Sequence, residues 1–412
     1  TLSFLEAPLP VNPLPPIATR DRAALSNTQP GTYRAFAARE LAPYADAWHA
    51  SEAFPMATIK RIAAEGYLGM TLPRRYGGGE ASWSALAQLA EAFGWACSAA
   101  RSLLTVHSMV AHTIERCGSD EQRACWLPRL ACGEQLAAFA LSEPEVGSDA
   151  NAVATSARSE GDDYVLSGTK KWTTFAETAD VFLVFAQEPN GLAAFVVERS
   201  TPGLEVDPIR GLLGVRAGGT CTVRLDGCRV PRANRLGRPG MGGRFALATA
   251  LVHGRLTVAA GCVGLAQAAL EASARYTSER HQFGQPLMSF QLVRRLITDM
   301  SVQTEAARGL TQRAARLLEA TQPDGPTATA QAKYYAAIVA AKATADAVQL
   351  HGGSGCSSEH SVQRFFCDAK VMELIEGTNE IHQITLAQDV YRRHGAVLQT
   401  NGNANVFGKT DA

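Results

Sequence analysis

The sequence predicts a mostly α protein with a central β domain. Three observations carry this: a helical pattern from about Thr32 to Gly133, short β-branched and aromatic runs after Phe139, and long stretches of good helix formers from Gly243 onward. A chain of 412 residues is too long for one ordinary core. We divide it into an extended arm (1–30), an N-terminal helical domain (31–136), a β domain (137–240), a C-terminal helical bundle (241–398) and a loose tail (399–412).

The arm is proline-rich and has neither a basic start nor a long apolar stretch, so it does not read as a secretory signal. In the first helical domain, Ser119 to Gln122 has the capping-box form, with a Ser at the N-cap and Gln three residues on. Gly77-Gly78-Gly79 interrupts the pattern before helix resumes at Ser82. Tyr164 to Leu166, Val181 to Phe185, Ala193 to Val197 and Cys221 to Leu225 read as strands, punctuated by Gly, Pro, Asn and Asp as in an antiparallel domain. A boundary falls near Pro239-Gly240. Helices are expected at Phe245 to Thr277, Leu292 to Ala320 and Thr327 to Leu350, then at Glu359 to Leu374 and Asn379 to His394.

Composition excludes several classes. Lys+Arg and Asp+Glu both total 39, so there is no electrostatic footprint for nucleic acid or an anionic membrane. No consecutive apolar run reaches the ~18 residues that span a bilayer. The nine cysteines form no C-x-x-C pair and no zinc-like spacing, which points to reduced thiols, no metal site and a cytoplasmic location.

Five segments carry chemistry. Leu141 to Asp149 is a Gly/Pro loop whose hydroxyls and amides suit a polar ligand, though alone it reads equally as a plain turn. In Lys170 to Thr174, Trp172 beside Thr173 and Thr174 can cover a flat heteroaromatic ring and bond its edge; an aromatic in a β domain is otherwise core. Arg280 to Leu287 offers Arg280 to a diphosphate and Phe283 to a purine, or is only an inter-helix turn. Gln349 to Gly355 follows a helix, not a strand, so any phosphate would meet the amides of the glycine turn; alone it is a helix stop. In Ile375 to Ile381, Thr378 or Asn379 is the expected N-cap of the last helix. Glu376 follows the apolar turn Val371 to Ile375, and poor solvation there would raise its pKa and suit it to accept a carbon-bound proton. Most such glutamates are solvated helix-end residues.

Together, in this order, these segments resemble the acyl-CoA dehydrogenase family along nearly the whole chain, from Gly66-Tyr67-Leu68-Gly69 through Tyr76-Gly77-Gly78-Gly79 to Glu376. The resemblance implies an N-terminal helical domain, an antiparallel, barrel-like β domain and a C-terminal four-helix bundle, with FAD at a subunit interface of a homotetramer or homodimer. Carried over by motif, Phe139, Leu141, Ser142, Gly147, Ser148, Trp172, Thr173 and Thr174 would line the flavin, and Thr378 and Glu380 would touch it. Arg280, Gln282, Phe283, Gln291, Gln349, Gly352 and Gly353 would reach the adenine and diphosphate ends, several from a neighbouring subunit. Ser148, Arg255 and Gly377 would meet the substrate.

The implied reaction is α,β-desaturation of an acyl thioester, with Glu376 taking the α-proton and the β-hydrogen leaving as hydride to flavin N5. One branch of the family carries its base immediately before the arginine matching Arg255. Here that residue is Gly254, which leaves Glu376 in the role. Two departures, Val252 where CoA-using members carry an Asp and Ile375 where an aromatic is common, resemble relatives whose acyl group rides on a carrier protein in polyketide pathways. Acyl-CoA and acyl-carrier protein are therefore both implied substrates, and an electron-transfer flavoprotein or oxygen the acceptor. Two other readings are a flavin monooxygenase or nitrososynthase, whose members usually lack the glutamate, and a non-enzymatic scaffold, against which the intact Trp172, Arg280 and Gly352-Gly353 segments argue.

Overall fold

A computed structural model describes residues 30–395. The expected arm, Pro30 apart, and the tail at 399–412 lie outside the described residues, as do positions 396–398 of the expected bundle.

Six helices come first: α1 (Pro30–Glu40), α2 (Ala45–Ser51), α3 (Met56–Ala64), α4 (Trp83–Ala96), α5 (Ser98–Cys117) and α6 (Asp120–Cys132). Their ends follow local chemistry. Ser82 caps α4 by accepting from the Ala85 N–H. Both capping-box bonds are present at α6, Ser119 Oγ accepting from the Gln122 N–H and Gln122 Oε1 from the Ser119 N–H. Gly133, at φ +72, ends that helix.

The β domain holds β1 (Ala137–Ala140), β2 (Ser156–Glu160), β3 (Asp163–Thr173), β4 (Val181–Glu188), β5 (Gly191–Glu198), β6 (Leu204–Pro208), β7 (Cys221–Pro231) and β8 (Arg235–Leu236). They form one sheet in the order β6-β7-β3-β2-β4-β5-β8, with β1 also paired to β4. The ladders are antiparallel except at β4, where β1 pairs parallel along Val181 to Val184 and β2 meets Gln187 in the same sense. The sheet is thus mixed at that point, because the chain enters it from α6 through a separate strand rather than a hairpin. Alternate residues of β3, β4, β5 and β7 bury one face in an apolar core of their own.

The remaining helices are α7 (Gly242–Glu279), α8 (Gln291–Glu319), α9 (Gly325–His351), α10 (Val362–Met372) and α11 (Asn379–Arg393). A two-stranded hairpin, β9 (His281–Gln282) with β10 (Gln285–Pro286), joins α7 to α8. The class expected from the sequence, mostly α with a central β domain, is the class observed.

Helix α7 differs from its expectation in one respect. It has the length and mean hydropathy, 1.4 over 18 residues, of a membrane-crossing helix, although its apolar residues are not consecutive. Of that window 78% is buried inside the protein, so its apolarity belongs to a core helix packed on several sides. It shares one apolar cluster with α4, α5, α8 and α9, which fuses the N- and C-terminal helices around it. Gly94 of α4 and Gly261 of α7 let the two backbones touch, since a methyl group at Gly94 would fall 2.5 Å from the Gly261 Cα.

Candidate active site

The centre of the site is the loop from α10 to α11. Thr378 is the N-cap of α11, its Oγ1 accepting from the Ile381 N–H at 3.3 Å. The Asn379 N–H donates to the Glu373 carbonyl at 3.0 Å, closing the loop on itself. Between these anchors Glu376 and Gly377 both take left-handed backbone, φ +55 and +95. Such a φ is uncommon for a glutamate, and it persists because two buried cations hold the carbonyls. Arg255 Nε donates to the Glu376 carbonyl at 3.3 Å, and Lys333 Nζ to the Gly377 carbonyl at 2.6 Å.

The Glu376 carboxylate lies against α7 at Gly254. A methyl group there would fall 2.6 Å from its Cδ and 2.8 Å from Met109 Sδ, so the glycine supplies the volume the carboxylate occupies. Glu376 Oε2 is buried and has no hydrogen-bond partner. Burial pushes the carboxyl up to about 7, against Arg255, Lys333 and Arg101, which favour its ionised form. The direction of the shift is the one expected from the sequence, while the contacts that bury the carboxylate come from α7 at Gly254 and from Met109 of α5. Burial also pushes Arg255 down to about 10 and Lys333 to about 8.

Glu376 faces a cavity of about 1120 Å³ between the β domain, α5, α7 and this loop. On the β side, the Leu141–Asp149 loop and the end of β3 are locked together. Lys170 Nζ donates to Glu143 Oε1 at 2.7 Å and to the Leu141 carbonyl at 3.0 Å. The Lys171 N–H donates to the Ser142 carbonyl at 2.8 Å. Burial pushes the Glu143 carboxyl up, yet Lys170, Thr155 and two backbone N–H groups together hold it below the usual carboxylate range. The β3–β7 register slips between Lys170 and Thr173, and Trp172 stands at φ +65 in that irregularity. The slip turns its ring out of the sheet; Trp172 is 51% exposed and borders the cavity. Beside it Thr173 Oγ1 is buried without a partner.

Of the residues marked in the sequence, the fold brings Phe139, Leu141, Ser142, Gly147 and Ser148 to this cavity with Trp172, Thr174 and Arg255. Glu376, Gly377 and Thr378 form the wall opposite. Thr173 sits just behind the rim, and Glu380 is exposed, its carboxylate bonded at Thr378. Arg280, Gln282, Phe283, Gln291, Gln349, Gly352 and Gly353 are not brought there. They lie exposed on the β9–β10 hairpin, the start of α8 and the end of α9. Sequence reasoning missed Arg101, Ser102 and Thr105 of α5 on the cavity wall, and Lys333 beneath the loop. One signal was available: Arg101 stands among small and apolar residues with no acid one helical turn away on either side.

The cavity fits a flat heteroaromatic cofactor. A tryptophan ring and an orphaned threonine hydroxyl stand on one side, an unpaired buried carboxylate on the other. Family comparison agrees. The chain matches the acyl-CoA dehydrogenase N-terminal domain over residues 30–134, the middle domain over 138–228 and the C-terminal domain over 240–391. It belongs to the acyl-CoA dehydrogenase family.

Acyl-CoA dehydrogenases are FAD-dependent oxidoreductases acting on CH–CH groups, and this chain is one of them. It is 39% identical over 364 residues to a probable acyl-CoA dehydrogenase of Bacillus subtilis, covering 87% of this chain and 95% of that protein. Butyryl-CoA dehydrogenase from Megasphaera elsdenii superposes with TM-score 0.86 at 31% identity, over 89% of this chain and 98% of that one. FkbI, described as serving biosynthesis of the methoxymalonyl extender unit of the polyketide Fk520, superposes with TM-score 0.80 at 34% identity, over 89% and 99%.

Proposed function

We propose that this acyl-CoA dehydrogenase desaturates an acyl thioester between its α and β carbons, with Glu376 as the base. One observation carries the reading: a buried, unpartnered carboxylate, pushed up to about 7, facing the cavity opposite Trp172. A base with that pKa is about half ionised at neutral pH and is still strong enough to take a carbon-bound proton. Glu376 Oε2 has no protein hydrogen bond to break first. The Glu376 N–H has no acceptor among the described residues, which leaves it available to the thioester carbonyl. Such a donor, aimed where enolate-like charge develops, typically contributes about 3 kcal/mol to the barrier. Arg255 and Lys333, by holding the two carbonyls of the loop, fix the direction of this N–H and of the carboxylate. Bound FAD supplies the hydride acceptor. Phe139, Leu141, Ser142, Gly147, Ser148 and Trp172 to Thr174 would hold its ring, with Thr378 and Glu380 at the loop.

The acyl group is carried on a carrier protein rather than free CoA. Val252 in place of an Asp three residues before Arg255 supports this, and the likeness to FkbI, described as serving a polyketide extender unit, supports a biosynthetic setting. The exposure of Arg280, Gln282, Phe283, Gln291 and the Gln349–Gly353 turn, away from the cavity of their own chain, supports a homotetramer in which one copy completes another's cofactor site. An electron-transfer flavoprotein is the acceptor. All nine cysteines are free thiols, in keeping with the cytoplasm.

Anaerobic mixing of the FAD-loaded protein with saturated acyl-CoA and acyl-carrier panels tests the reading. Bleaching of the oxidised flavin band by at least one thioester, lost in Glu376→Gln with FAD still bound, is expected. A flavin that stays oxidised with every thioester, or a Glu376→Gln variant with undiminished rates, refutes it.

A further inference from the structure

His382 stands in the first turn of α11 and is 1% exposed. It does not line the cavity, whereas Gly377, on which its ring packs, does. A methyl group at Gly377 would fall 3.3 Å from His382 Nε2 and 3.6 Å from its Cε1, with Arg255 Nη2 next at 3.8 Å. The ring therefore fills the space behind the loop, beside the Arg255 guanidinium. The helix fixes it from the other side, since the His382 N–H donates to the carbonyl of Thr378, the cap of α11, at 3.1 Å. His382 Nε2 is buried without a hydrogen-bond partner. Leaving a buried ring nitrogen unpaired costs free energy, and the packing of the ring must offset that cost.

The ring is uncharged. Burial, Arg255 and Lys333 all lower its pKa, to about 3, and contact with the Glu376 backbone opposes them without prevailing. Cations already crowd the loop: Arg255 and Lys333 hold its two carbonyls, and both, with Arg101, bear on the one carboxylate. A neutral imidazole fills the gap without adding another charge. The loop needs such support, because Glu376 and Gly377 stand at φ +55 and +95. The two donors aim the carbonyls, but neither packs under Gly377 as closely as the ring does. The carboxylate itself cannot fix its own place. Its Oε2 has no protein partner and only lies against Gly254, so its position is set by the backbone that carries it.

We propose that His382 is a positioning residue for the base: its ring, packed under Gly377 and against the Glu376 backbone, keeps the loop in the left-handed turn that seats the Glu376 carboxylate at Gly254. Its kinetic effect rests on the dehydrogenase reading above; its effect on the seat of the carboxylate does not. An apolar side chain in its place loses the polar contact with the loop. The turn then relaxes and the carboxylate swings into the open part of the cavity. An amide of similar reach keeps the contact and the seat.

His382→Leu, which keeps the bulk, and His382→Gln, which keeps a polar group, test this. The probe is whichever thioester of the acyl-CoA and acyl-carrier panels bleaches the unmodified, FAD-loaded protein fastest in anaerobic stopped flow. At saturation, His382→Leu is expected to reduce its flavin ~30-fold more slowly or worse, with KM within about threefold. The midpoint of its acid limb should drop by about one unit as the carboxylate becomes solvated. His382→Gln should stay within about fivefold of the unmodified rate with its midpoint unmoved. A ring that only stabilises the fold would lower yield and melting temperature but leave rate and midpoint standing in the FAD-loaded molecules, which overturns the proposal. Equal rates in the two variants overturn it as well. Should His382→Leu fail to fold, His382→Ala is read in the same way. A second measurement needs no turnover. The fall in melting temperature between about pH 5 and 7 caused by Glu376 should be shallower in His382→Leu than in His382→Gln; both lack the imidazole, so its own titration cancels. Equal slopes overturn the proposal. If no thioester reduces the flavin of the unmodified protein, the dehydrogenase reading fails, and this slope alone decides the role of His382.

Discussion

At the scale of the residue, the site depends on the surroundings of one carboxylate. Burial raises Glu376 from the usual 4.5 to about 7, so kcat/KM for α-proton removal should climb on the acid side with a midpoint near pH 7. A pH profile that is flat from 5.5 to 8 would contradict this. The same shift bears on stability with a definite sign. The folded state holds the Glu376 proton more tightly than the unfolded chain, so between about pH 4.5 and 7 the unfolded state binds fewer protons and stability falls as pH rises. The full difference is on the order of 3 kcal/mol. Glu376→Gln, which cannot ionise, should flatten that slope and melt higher than the parent above pH 7, as measured by thermal unfolding across pH. Gly254 is the counterpart of Glu376. A side chain there would occupy the position of Glu376 Oε2, so Gly254→Ala should lower turnover by about 100-fold through displacement of the base, with FAD content retained. Single-turnover reduction rates check it; a variant at parental speed would show that the carboxylate works from another position.

At the scale of the element, two irregular segments aim the site, and each is held by regular neighbours. The β3 register slip presents Trp172, and the Lys170–Glu143 pair behind it fixes the Leu141–Asp149 loop. The α10–α11 loop presents Glu376 because Thr378 caps the helix that follows and Lys333 of α9 holds the Gly377 carbonyl. Thr378→Ala should cost about 1 kcal/mol of stability, read from denaturant midpoints. Both strand and helix were legible from periodicity, and so was the capping chemistry of α6 and α11. The register slip was not, because it depends on how β7 pairs with β3 across an intervening stretch of chain. Nor was the mixed pairing at β4, since parallel contact with β1 is set by where α6 delivers the chain.

At the scale of the whole molecule, α7 joins both helical regions to the β domain. Its close approach to α4 needs glycine at position 94, so Gly94→Leu should unfold the protein or sharply lower its melting temperature. The exposed hairpin and the α9 turn do not line the cavity of their own chain, and the proposed tetramer gives them a role. Arg280→Ala should weaken FAD binding without moving the midpoint of the acid limb set by Glu376. Flavin content after dialysis, compared with sedimentation, checks this: unchanged FAD affinity in an intact oligomer would remove the segment from the cofactor site.

The sequence by itself determined the order of helices, strands and helices, the caps, and the family, because these follow from periodicity and from motifs read in one direction along the chain. It also marked Glu376, which the family resemblance put in the role of the base; the apolar turn before it, taken alone, did not separate it from a solvated helix-end glutamate. Only the tertiary structure decided what faces that carboxylate. Gly254, Lys333 and Arg101 lie 122, 43 and 275 residues away from it in the chain. Their meeting depends on helix packing around α7, and the charge imbalance it creates in the cavity is a property of the packed interior rather than of any one segment.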